Sequence, residues 1–234
     1  MKPEGKGYML REYGSWSVLL VAFITGLAVT RELPPWQALP VLLALGLLIN
    51  SKQAFTKWTR QPSVRKHFAV FLGQIAVAAA VLIAVYGSAM PQLLPLLVLP
   101  AAYLLMNRLA GEHFVLTELL GFALLSLAAV LAKFLVVQGV DVRLFIATSL
   151  YFTAGVFKIK AALFKRTADR VLTVLYILFS AYAYRRFQLS LLILLPLCEN
   201  ILMAAMLYKA RLQTTGWIEV AKSLAFLALM IWLF

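Results

Sequence analysis

From Leu116 to Val137 the chain reads Leu-Thr-Glu-Leu-Leu-Gly-Phe-Ala-Leu-Leu-Ser-Leu-Ala-Ala-Val-Leu-Ala-Lys-Phe-Leu-Val-Val, with one charge, Glu118 or Lys133, near each end. At ~1.5 Å of rise per residue, such a helix reaches across the roughly 30 Å of a bilayer's hydrocarbon layer. Between Leu119 and Ala132 nothing is more polar than Gly121 and Ser126. A helix on the surface of a soluble domain keeps a polar face, which this stretch lacks, so it predicts a membrane span. Similar runs recur on both sides of it, separated by charges or by Pro and Gly. They predict nine spans, near 15–30, 36–52, 68–86, 91–107, 116–137, 142–160, 168–184, 188–208 and 217–234. Spans two and four are short and carry prolines (Pro34, Pro35, Pro40; Pro91, Pro95, Pro100), which predicts tilted or partly irregular segments. A bilayer tolerates those only where other helices or a wet cavity cover the freed backbone.

The composition of the whole chain agrees. Of 234 residues, 63% are hydrophobic and 13% charged, against about half and about a quarter in a soluble domain. Soluble, disordered, fibrous and disulfide-rich secreted classes are excluded, and the single cysteine, Cys198, cannot form an internal disulfide. The predicted fold is all-α: one polytopic transmembrane helical bundle over residues 1–234. Lys2, Lys6 and Arg11 ahead of the first run imitate a secretory signal. Ala28-Val29-Thr30 followed by Arg31-Glu32 is a poor cleavage site, however, so the run reads as an uncleaved first span.

Lys and Arg counted in alternate loops set the orientation. On the side of the N-terminus lie 16: Lys2, Lys6, Arg11, Lys52, Lys57, Arg60, Arg65, Lys66, Arg108, Lys158, Lys160, Lys165, Arg166, Arg170, Lys209 and Arg211. The other side has Arg31, Arg143, Arg185 and Arg186, while Lys133 and Lys222 fall within spans. The N-terminus and both large basic loops are therefore expected in the cytoplasm. The formal charge of +13 reads as an orientation signal that also meets anionic lipid, and not as a nucleic-acid surface.

Ionisable groups inside a bilayer are expensive, and each invites a functional reading with a named partner. Glu199 stands mid-span in Leu195-Pro196-Leu197-Cys198-Glu199-Asn200, with no Lys or Arg within a helical turn. Pro196 cannot donate to the carbonyl of Leu192, which predicts a kink just before the acid. Glu199 with Asn200 reads as a ligand or proton site; the plainer alternative is a protonated Glu bonded to a neighbouring helix. Lys133 is its expected cationic partner, unless it snorkels outward. Lys222 has Glu219 three residues earlier and reads as locally paired.

A second group gathers at the cytoplasmic ends of the spans. It comprises Asn50 and Lys52 after span two, then Arg108, Glu112 and His113 before span five, with Glu118 entering that span. Lys158 and Lys160 follow Tyr151-Phe152 at the end of span six. These read as a basic, amide-lined pocket for an anionic head group. The bland alternative is interface anchoring, with an ordinary helix-surface pair between Arg108 and Glu112. No metal or cofactor is expected: His67 and His113 are the only histidines, neither lies mid-span, and no Cys/His spacing suits zinc. There is no Gly-rich phosphate loop.

Glu12-Tyr13-Gly14-Ser15-Trp16 opening the first span, the Arg108…Glu112 stretch, and Tyr151-Phe152 leading to a basic tail together resemble the YwiC-like family of small bacterial membrane proteins. The resemblance runs over nearly the whole chain and implies a location in the bacterial inner membrane. The first motif of that family usually reads His-Gly-x-Trp, and Tyr13 stands here in the place of the histidine. The span layout also resembles UbiA-type prenyltransferases, whose two Asp-rich motifs follow spans two and six and hold Mg²⁺ and an isoprenyl diphosphate. Here Asn50, Lys52 and Lys57 stand at the first place, and no Asp or Glu lies between Glu32 and Glu112. Lys158 and Lys160 stand at the second, with Asp169 alone among Lys165, Arg166 and Arg170. A shared layout without paired carboxylates implies no magnesium–diphosphate chemistry.

Three functions follow as expectations. The first is binding of a lipid-like or isoprenoid amphiphile whose anionic head group meets Lys52, Arg108, Lys158 or Lys160. The second is a divergent UbiA-like enzyme with Glu112, Glu118 and Glu199 as its acids. The third is a proton-coupled transporter working through Glu199.

Overall fold

The computed structural model describes residues 13–61, 63–206 and 212–234. Lys2, Lys6, Arg11, Glu12, Lys209 and Arg211 lie outside the described residues. Those described form ten α-helices: α1 (Tyr13–Ala28), α2 (Ala38–Arg60), α3 (Arg65–Tyr86), α4 (Met90–Leu93), α5 (Val98–Ala110), α6 (Val115–Val137), α7 (Val142–Phe164), α8 (Thr167–Arg186), α9 (Cys198–Met206) and α10 (Leu212–Leu233). Three 3₁₀ segments complete them, Gly87–Ala89, Leu94–Leu97 and Leu191–Leu197, and there is no strand among the described residues.

Among the described residues, five helical stretches are long and apolar enough to cross a membrane: Ala38–Arg60, Arg65–Ala110, Val115–Val137, Val142–Phe164 and Thr214–Leu233. Gly14–Ala28 and Leu191–Met206 are apolar but shorter. α8 carries Asp169 in its first turn and Arg185 and Arg186 in its last, which dilutes an otherwise apolar helix. Leu109, Leu163, Tyr182 and Trp232 all point outward and are exposed. On a soluble protein such apolar exposure would be a liability, whereas in a bilayer it faces lipid. The chain is a membrane-embedded, all-helical protein.

Two expectations need correction in detail. α2 runs on to Arg60 and α7 to Phe164, beyond the apolar stretches, because the residues that follow are sound helix formers. Around Pro196 the chain adopts the 3₁₀ segment Leu191–Leu197 in place of a kinked α-helix. The missing proline N–H removes an α-type bond, and the tighter winding carries the chain to a fresh helix at Cys198. The fourth apolar run is irregular, as its prolines predict. After Gly87, at φ +51°, it winds through two 3₁₀ segments and α4 before α5 becomes regular.

Packing in lipid depends on close approach, since lipid tails are as apolar as Leu. α1 meets α6 backbone to backbone: a Cβ on Gly26 would fall 2.0 Å from the carbonyl oxygen of Ala129. Around that contact lie Leu19 and Phe23 of α1, Val41 and Leu45 of α2, and Ala128 and Ala132 of α6. Leu144, Ala147 and Tyr151 of α7 and Phe226 and Met230 of α10 complete the core. Four buried hydroxyls bond back along their own helices: Thr25 donates to the Val21 carbonyl, Ser126 to Phe122, Thr148 to Leu144 and Ser180 to Tyr176.

Candidate functional site

Tyr151 and Lys158 are two turns apart on one face of α7, and Glu219, Lys222 and Phe226 recur at helical spacing on one face of α10. Between these faces α9 presents Glu199 and Asn200 from its first turn. The ammonium of Lys158 lies 2.5 Å from Glu199 Oε2 and 2.5 Å from Glu219 Oε1. That of Lys222 lies 3.1 Å from each of the same two oxygens and 2.5 Å from Asn200 Oδ1. Lys158, Lys222 and Asn200 are buried, whereas the Glu219 side chain is 45% exposed. The network therefore reaches the protein surface through one carboxylate.

Tyr151 closes it on the inner side. Its ring stacks on Phe226 with centroids 3.9 Å apart, and its hydroxyl donates to the Lys222 carbonyl at 2.9 Å. Nδ2 of Asn200, a residue with no exposed surface, has no hydrogen-bond partner. Among the described residues, two ammonium groups and two carboxylates cancel in this network, which is what an apolar surrounding demands.

The expected Lys133–Glu199 pair gives way to this arrangement. Lys133 Nζ lies 2.6 Å from Asp141 Oδ2, just before α7, where Asp141 also caps the helix through the Leu144 amide at 3.0 Å. Asp141 and Lys158 stand near opposite ends of α7, on the order of 25 Å apart along its axis. Lys133 is thus at the wrong depth for Glu199. Partial burial works to raise the Asp141 carboxyl, but the bonds from Lys133 and the Leu144 amide outweigh it and hold the group below its ordinary value.

The second predicted group is brought together only in part. Lys52 of α2 pairs with Glu112 at 2.8 Å, and Lys160 of α7 pairs with Glu118 of α6 at 2.8 Å. His113, almost fully exposed, lies 4.0 Å from Glu118. The expected Arg108–Glu112 helix pair is replaced because α5 ends at Ala110. Gly111, at φ +85°, turns Glu112 out of helical spacing, and Arg108 stays exposed. Burial works to raise the Glu112 carboxyl, but the hydrogen bond and charge of Lys52 prevail and hold it below 4.5. Asn50 is half-buried on α2, one turn before Ala54. Of the lysines expected to face an anionic head group, Lys52, Lys158 and Lys160 each already hold a glutamate.

Sequence reasoning missed Glu219 and underrated Lys222. The available signal was a Glu and a Lys inside a span, which ought to count as two intramembrane charges before it counts as one local pair. Among the described residues, no group of three or more His, Cys, Asp or Glu side chains is gathered as metal ligands would be.

Over residues 9–133 the chain matches the family described as YwiC-like protein. The chain belongs to this YwiC-like family. The matched portion takes in Lys52, Arg108, Glu112, His113 and Glu118, while Lys158, Glu199, Glu219 and Lys222 lie beyond it. No curated protein and no solved structure matches the chain.

Proposed function

We propose that this YwiC-like protein is a proton-linked carrier that moves a small solute through the helical bundle, with the Lys158–Glu199–Glu219–Lys222 network as its working site. The observation that carries the reading is the equivalence of partners. Lys158 meets two carboxylates at one distance, and Lys222 meets the same two at another. A structural tie between helices needs one cation and one anion. A set in which either lysine can keep either glutamate allows pairings to be exchanged without exposing a bare charge, as a proton or ligand relay requires. In this reading the chain spans the bacterial cytoplasmic membrane nine times with its N-terminus inside.

The test uses proteoliposomes containing the full chain and an entrapped pH-sensitive dye, with a small-molecule filtrate of bacterial cells added outside. Acidification of the lumen that depends on the protein and is lost in Glu199→Gln supports the reading. Equal traces from wild type, Glu199→Gln and protein-free vesicles overturn it. A second reading, an amphiphile with an anionic head group, is favoured by the exposed Arg108, four residues before the Glu112 that Lys52 holds. Its test is enrichment of one anionic lipid over bulk lipid in the purified protein.

A further inference from the structure

We infer that the solute carried at this network is a small organic monoanion, such as a monocarboxylate, bound together with one proton. The inference rests on the carrier reading above and adds the class of solute and its stoichiometry. Its first support is the charge count. Among the described residues Lys158 and Lys222 balance Glu199 and Glu219, so an anion entering alone adds a negative charge to this balanced set, and a proton entering alone adds a positive one. One of each preserves neutrality. A dianion needs two protons, a cation has to approach two ammonium groups, and a neutral solute needs no proton at all.

Its second support is Asn200. This fully buried side chain gives Oδ1 to Lys222 while Nδ2, on the same amide carbon, has no acceptor. Buried donors without partners are rare in folded proteins. An oxyanion placed beside Lys222 would take the bond from Nδ2 together with bonds from the two ammonium groups. The Asn200 amide is held in this orientation because its oxygen faces the Lys222 ammonium.

The proton goes to Glu219, whose side chain is 45% exposed against 21% for Glu199. Among the described residues the charged and titratable groups facing Glu219 are Lys158 and Tyr151 from α7, Glu199 from α9 and Lys222 from its own helix. When a proton from solvent adds to a Glu219 oxygen, Lys158 and Lys222 each lose one carboxylate partner, and the incoming anion replaces it. No covalent bond is made or broken in the solute.

The cell filtrate is separated by ion exchange into neutral, cationic, monoanionic and polyanionic fractions, and each is added to proteoliposomes with the membrane potential clamped. Acidification by the monoanionic fraction, independent of the potential, is expected. Lactate and pyruvate serve as defined probes. Their half-saturating concentration should fall about tenfold for each unit of pH lowered, as obligatory coupling to one proton requires. Glu219→Gln, checked for a native elution profile, should flatten that dependence to less than about twofold per pH unit and make uptake sensitive to the potential. Activity confined to the neutral, cationic or polyanionic fraction, or an unchanged pH dependence in Glu219→Gln, overturns the inference while leaving the carrier reading standing. Silence in every fraction removes the carrier reading itself.

Discussion

Replacing Lys158 by Met removes the ammonium that two carboxylates share at 2.5 Å and leaves Lys222 as the cation that still meets both Glu199 and Glu219 among the described residues. Deleting one partner of a buried ion pair costs ~3–5 kcal/mol, because the remaining charge keeps its desolvation penalty without its compensation. Lys222 still meets both carboxylates, so the lower end, about 3 kcal/mol, applies. For a chain of this length that corresponds to a fall in Tm of roughly 6–12 °C. The decisive comparison is with Lys158→Met/Glu219→Gln. The double variant is neutral again, with Glu199 held by Lys222 at 3.1 Å. It should recover at least half of the loss, about 1.5 kcal/mol, whereas additive sites would give the sum of the separate Lys158→Met and Glu219→Gln costs. Tryptophan fluorescence during thermal unfolding in a mild detergent reads both quantities. Salt at about 0.5 M should change them little, since buried pairs are poorly screened. A Tm drop below about 2 °C for Lys158→Met, or simple additivity in the double variant, refutes the idea that the network is a desolvated, charge-balanced unit.

Gly26→Ala should lower stability by about 1–3 kcal/mol, because the new methyl meets the Ala129 backbone and α1 must move off α6. Gly73→Ala, inside α3 with no atom within 4 Å of the added methyl, is the clash-free control and should be stabilising by about 0.5–1 kcal/mol in the same melting assay. The Lys52–Glu112 pair should give acid-sensitive stability. The folded carboxyl lies below its ordinary 4.5, so the contribution is fully present above that pH and is lost as pH falls through the folded value. Melting curves from pH 7 down to about pH 3 should show wild type more stable than Glu112→Gln at neutrality, with the gap closing in acid.

The all-helical, membrane-embedded character was legible because apolar run length is set by bilayer thickness, a constraint that five of the stretches meet by themselves. Glu199 was legible for a similar reason, since a lone acid far from any cation in sequence must find its partner elsewhere. What stayed hidden depends on depth and on local breaks. Lys133 looked available to Glu199 because sequence does not say that Asp141, across a short turn, is at its own level while Glu199 is most of a helix away. Arg108 and Glu112 have helical spacing, yet Gly111 ends the helix between them. Glu219 was masked by Lys222, whose position three residues later suggests a closed local pair. In the fold the two turn to the same side and recruit Lys158 and Glu199.

The lysines at this end of the bundle do more than fix orientation. Lys52 ties α2 to the turn before α6, Lys160 ties α7 to α6, and Lys158 ties α7 to α9 and α10. Lys158 and Lys160 are two residues apart, and successive helical positions turn by about 100°, so they grip α7 from nearly opposite sides. A rotation of α7 that frees Lys158 from its glutamates also pulls on the Lys160–Glu118 pair. The two attachments differ in character. Lys158 is buried between alternative partners, whereas Lys160 and Glu118 are 18% and 26% exposed and form a single pair. In the carrier reading, partner exchange by Lys158 is coupled through α7 to the Lys160–Glu118 pair on the other face of the same helix. Both attachments sit near the end of α7, and the Glu118 that receives Lys160 lies in the first turn of α6.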